Sequence, residues 1–178
     1  MTERTRWFSR TFAFDLEPWT FPNLVERVRG TPARLEERLR DVEASALTAR
    51  VGERWSIQEN AGHLLDLEAL WAERLGDFER GAERLAVADL DNRRTYDANH
   101  NAAPLGAILR AFRSARTAFV DRLENYDDAM VVRTALHPRL QQPMRVLDHV
   151  LFVAEHDDHH LAAITALLRE VRGARVRA

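Results

Sequence analysis

The chain contains no cysteine and no lysine. Without cysteine there is no disulfide, no thiolate nucleophile and no cysteine-bound zinc, so any metal must be held by nitrogen and oxygen. All 26 basic residues are arginine, and they alternate with Asp and Glu along helical faces as solvated ion pairs rather than gathering into a basic patch. The net charge of -2 gives no electrostatic reason to expect nucleic acid or an anionic membrane as a partner. Also missing is any apolar run of about 18 residues, the length that would suggest a membrane span. The longest candidate, Val146 to Leu168, is interrupted by His156-Asp157-Asp158-His159-His160. Met1-Thr2-Glu3-Arg4-Thr5-Arg6 leads into no apolar stretch of signal-peptide type, so a cytoplasmic location is the expectation.

What is present describes an ordinary globular chain. The 178 residues suit one domain, 1–178, with 46% hydrophobic and 30% charged residues. Four amphipathic helices are expected, at about 22–44, 56–79, 104–125 and 144–172, and no strand pattern competes with them. Gly30-Thr31-Pro32 interrupts the first, with Thr31 placed to cap a restart at Pro32. Ser56 and Glu59 have the spacing of a capping box at the start of the second. Gly62 inside that helix costs about 1 kcal/mol relative to alanine, which points to close packing beside His63. The expected fold is an all-α four-helix bundle whose long connection between helices 2 and 3 implies a crossover. Residues 1–21 form an aromatic arm with Trp7, Phe8, Phe12, Phe14, Trp19 and Phe21, which must dock on the bundle or on a second subunit.

His156 and His160 are four apart, one above the other on a helix, and can grip a single ion. Helix packing can bring His63 to the same face. A hydrogen-bonded core pair is the alternative, and spacing alone leaves both open. His149 lies two turns before His156, on the same stripe. His159 points about 100° away from His160 and has Glu155 at i−4 as a partner. Asp66 and Glu59 can orient His63, while His100 and His137 fall in loops. His156-Asp157-x-x-His160 has the outline of a zinc-peptidase motif, but the position for a third histidine is Ala166. A di-iron site would need two E-x-x-H helices, and only Asp157-x-x-His160 approaches one.

Trp55-Ser56-x-x-Glu59-x-x-Gly62-His63-Leu64 followed by His156-x-x-His159-His160 resembles the DinB/YfiT-like superfamily of bacterial four-helix proteins. The resemblance implies one divalent transition metal, Zn, Ni or similar, held by His63, His156 and His160. It also implies a homodimer and a small-molecule substrate. The chemistry it implies is that of a metal-dependent hydrolase, or of a transferase using a low-molecular-weight thiol such as bacillithiol or mycothiol. Three imidazoles leave open coordination positions, as a catalytic site requires. Candidates for the base are Asp157, Asp66 and His149. The contrasting expectation is a non-catalytic bundle in which the metal supports the fold or senses a ligand.

Overall fold

The computed structural model describes residues 5–175, with side chains as far as Val171. Four helical rods build the bundle: α1 (Phe21–Arg29) with α2 (Thr31–Leu39), α4 (Ile57–Glu79), α6 (Leu105–Glu124) and α8 (Val146–Arg175). Short helices α3 (Ala44–Thr48), α5 (Arg93–Asp97) and α7 (Asp128–Val131) lie in the connections. α4 and α6 are packed together, and each also packs on another rod: α4 on α8, α6 on α1. α1 closes the ring by packing on α8.

Side-chain pairs give the directions of the rods. Arg116 of α6 meets Glu68 of α4 and Arg122 meets Glu79, so these two helices run parallel. A parallel neighbour demands that the chain travel back along α4 before α6 begins. Residues 80–104 do this. Leu85 hydrogen-bonds Leu136, Thr95 reaches Asp66, and Asn101 accepts a hydrogen bond from Ser56 at the far end of α4. α8 runs antiparallel to α4, since His160 meets Asn60 whereas His149 packs on Trp71 and Phe78. The long connection is thus the expected crossover.

The break in the first rod falls between Arg29 and Thr31, with Gly30 itself near helical dihedrals. Pro32 has no N–H to offer the Val28 carbonyl one turn back. That carbonyl accepts instead from the Arg116 guanidinium at 3.0 Å. Thr31 makes no side-chain cap; its hydroxyl donates to Asp157 at 2.7 Å. Thr31, Glu68, Arg116 and Asp157 form one buried polar layer across the bundle. On one side lie Val28, Trp71, Phe119 and Val153; on the other lie Leu35, Leu64, Phe112 and Leu161. Each rod contributes one residue to the layer, and sliding α4, α6 or α8 by a turn would bury a charge in hydrocarbon. Burial pushes the Glu68 carboxyl up to about 7, against the pull of Arg116.

The sequence shows no strand pattern, yet a two-stranded antiparallel hairpin precedes α8: β1 (Thr134–His137) and β2 (Gln142–Arg145). Four residues per strand are too few for an alternating pattern to register. Gln141 takes a left-handed conformation in the turn. The crossover lies beside β1, and Leu136 donates to Glu83 and accepts from Leu85. The aromatic arm docks mainly on its own bundle. Trp7, Phe12, Phe14 and Leu16 pack against the core, while Phe8 and Trp19 stay exposed.

Candidate metal centre

His63 enters from α4, and His156 and His160 from facing positions on α8. The capping box expected at Ser56 is formed, so the first turn of α4 has a fixed start. Ring centroids lie 5.3 Å apart for His63–His156, 4.7 Å for His63–His160 and 4.6 Å for His156–His160. One ring nitrogen from each falls within 4.8 Å of the others.

Neighbouring side chains set which nitrogen is offered. His160 Nδ1 lies 2.9 Å from the Asn60 side-chain oxygen, whose amide nitrogen donates to the Ser56 carbonyl at 2.8 Å. That donation fixes the amide orientation, so Nδ1 of His160 carries the hydrogen and Nε2 keeps its lone pair. His63 Nδ1 lies 2.9 Å from the Thr95 hydroxyl, which itself donates to Asp66 at 2.8 Å. Its proton committed, that hydroxyl can only accept, so Nδ1 of His63 carries the hydrogen and its Nε2 keeps the lone pair. Burial lowers His63 to about 4 despite the nearby Asp66 charge. His156 is held well below its ordinary value by burial, then by its histidine and arginine neighbours. Both rings are neutral near pH 7, the form that ligates.

Gly62 is explained at this point. A Cβ there would come within 2.2 Å of the His100 ring. His100 is buried, not exposed in a loop, and its Nε2 lies 2.8 Å from Asp66. Asp66 is therefore the anchor behind His63, acting through Thr95. Glu59 contributes its capping bond and an ion pair to Arg50.

The triad forms part of the wall of a cavity of about 300 Å³. Trp7, Trp55, Trp71, Leu67, Leu70 and Phe152 supply the apolar lining. The three candidate bases are not among its lining residues. Asp157 turns to the bundle interior, where Arg116 and Thr31 hold both its oxygens. At about 100° per residue, the helix that aims His156 at the cavity aims Asp157 away from it. Asp66 is committed to Thr95 and His100. His149 is fully buried among Trp71, Phe78 and Phe119. His159 lines the cavity with its ring 5.7 Å from Trp7. Glu155 bonds Arg27 and Arg10. His137 is buried and lines the same cavity. Sequence reasoning missed Thr95, Asn60 and Trp7, whose roles arise from contacts far apart in the chain. Asn60, one helical turn after Ser56 and three residues before His63, was the one with a local signal.

Fold and site together define a class: a four-helix bundle with an up-down-down-up crossover and three converging imidazoles in the wall of a largely apolar cavity. Residues 27–164 match the DinB superfamily, and the chain belongs to that family. Among solved structures it is similar to YfiT from Bacillus subtilis, described as a probable metal-dependent hydrolase with an unusual four-helix bundle topology. The two share 16% identity with a TM-score of 0.81, over 91% of this chain and 93% of that one. At that identity the likeness concerns the fold. No curated protein matches the sequence.

Proposed function

We propose that the protein is a metal-dependent enzyme, hydrolytic in its chemistry, that acts on a small molecule bound in the cavity beside His63, His156 and His160. One observation carries the reading: three imidazoles offer nitrogens within 4.8 Å, two of them with the tautomer set by Thr95 and Asn60. Nitrogen-only ligands with room for further positions suit Zn, Ni, Cu or Fe, and the donor set fits such an ion. The ion would supply Lewis acidity to a water, or to a small thiol if transfer rather than hydrolysis is the reaction. His63 and His160 would hold it through Nε2, with Asn60 and the Thr95–Asp66 pair preventing ring rotation. Trp7, Trp55 and Trp71 would exclude bulk water and seat an apolar substrate body. The description of YfiT as a probable metal-dependent hydrolase supports the same choice.

The test is turnover of a panel of small esters, amides and phosphoesters by metal-loaded protein, beside His160→Ala. The reading expects activity that disappears in the variant while its melting temperature stays within a few degrees of wild type. Turnover that survives His160→Ala would overturn it. Activity appearing only when bacillithiol or mycothiol is added would replace hydrolysis with thiol transfer at the same site.

A further inference from the structure

The same cavity has a second polar region, built from Arg74, His137 and Arg139, which none of the foregoing chemistry uses. Arg74 and Arg116 are each only 1% exposed. Arg116 has Glu68 and Asp157 around it. Among the described residues, by contrast, no ion pair is made by Arg74 or by Arg139. Asp77 offsets part of the Arg74 charge from beyond ion-pair distance, and Arg74 Nε donates to the Ala86 carbonyl at 3.0 Å, yet a buried guanidinium with no direct ion-pair partner remains costly. Burial lowers Arg74 to about 10 and lowers Arg139 as well.

Hydrogen-bond roles sharpen the case. The Leu140 N–H, an obligate donor, meets His137 Nδ1 at 3.1 Å, so Nδ1 is the lone-pair nitrogen. The neutral ring then carries its hydrogen on Nε2. That atom lies 3.1 Å from Arg74 Nη1, a second obligate donor. Two N–H groups face each other with no acceptor between them. Nη2 of Arg139 is buried with no hydrogen-bond partner, while its guanidinium sits 5.5 Å over Phe8 and 5.8 Å over Phe152. Burial, then Arg74 and Arg139, lower His137 to about 3, so it remains a neutral donor at pH 7. Asp89 is the one acidic residue among those lining the cavity, and it is exposed and accepts from the backbone N–H groups of Asp91 and Arg93.

The geometry points to an anion-binding subsite formed by Arg74, His137 and Arg139, so that the molecule bound here is a small acid with an apolar body. Its carboxylate, or a comparable anionic group, is the acceptor that the convergent N–H groups lack. Trp71 spans the interval between the two polar regions, 5.6 Å from the Arg74 guanidinium carbon and 5.7 Å from the His156 ring. The apolar body lies along Trp71, Trp7 and Phe152, which places its uncharged portion beside the three histidines. This assignment deepens the reading of the cavity as a substrate site, but it requires no metal.

The experiment is calorimetric titration of chelator-treated protein with 3-phenylpropionate and its neutral counterpart 3-phenylpropanamide. Wild type is expected to prefer the acid by at least about tenfold, the size of a charge-assisted hydrogen bond in a buried site. Arg139→Gln, at a partly exposed position, should keep its melting temperature, lose the preference and bind the amide as wild type does. His156→Ala should retain the preference, so failure of the metal reading and failure of this one are separable. Equal affinity for acid and amide, no binding of either at millimolar concentration, or a preference that survives Arg139→Gln would overturn the assignment.

Discussion

Gly62→Ala is a one-methyl change whose outcome opposes ordinary helix propensity. Alanine in the middle of an exposed helix would add about 1 kcal/mol of stability over glycine. Here the new Cβ would lie 2.2 Å from Cγ, 2.3 Å from Cδ2 and 2.5 Å from Nδ1 of His100. The ring has nowhere to retreat cheaply, because its backbone carbonyl accepts from Gln58 and its Nε2 is bonded to Asp66. Overpacking costs about 1–3 kcal/mol, and a lost buried hydrogen bond about the same again. Net destabilisation of about 1–5 kcal/mol follows after the propensity gain, read as a lower urea midpoint with an unchanged slope. Asp66 would also lose a partner and hold Thr95 less firmly, so the effect should reach His63 and weaken metal uptake. A variant as stable as wild type, or more so, would refute the packing argument and leave Gly62 unexplained.

Thr95→Val keeps the shape but removes the acceptor for His63 Nδ1–H and the donor to Asp66; metal affinity should fall about 10–100-fold, measured by competition with a chelator, with about 1–3 kcal/mol of stability lost as well. Arg116→Met leaves Glu68 and Asp157 buried without their cation, and about 3–5 kcal/mol of stability should be lost in denaturant titration. The pH dependence has a definite sign. His137, lowered to about 3, and His149, lowered well below its ordinary 6.5, stay neutral when folded but take up protons when unfolded. Their contribution is complete above pH 6.5 and declines below it, by up to about 1.4 kcal/mol per pH unit for each. Melting of chelated protein between pH 7 and pH 4.5 should show the decline, and His149→Phe should flatten it if the variant folds; an unchanged slope in a folded variant would remove His149 from the account.

Much of this architecture was legible because it is local. The capping box needs only Ser56 and Glu59, and the i, i+4 pair needs only His156 and His160. The break at Gly30-Thr31-Pro32 is written in backbone chemistry, and the crossover follows from the length of one connection. The Gly62 anomaly pointed to a close neighbour without saying which. Features made by distant chain segments were not legible. Thr95 and Asn60 are polar residues with no pattern of their own until folding places one beside His63 and the other beside His160. Asp157 looked available because it adjoins His156, yet one residue along a helix is a different face, and that face meets Arg116. The hairpin escaped notice because eight residues carry too little period. With it went the placement of His137, which depends on β1 and on the crossover segment beside it.

Everything proposed for the cavity's chemistry depends on His63, His156 and His160 holding one divalent ion. Mass-spectrometric metal analysis of untagged protein, grown with supplementary Zn, Ni and Mn, tests it directly beside His63→Ala and His156→Ala. Wild type should carry about one equivalent of a single transition metal, lost in both folded variants. Metal-free wild type after supplementation, or metal retained undiminished in both variants, would contradict it.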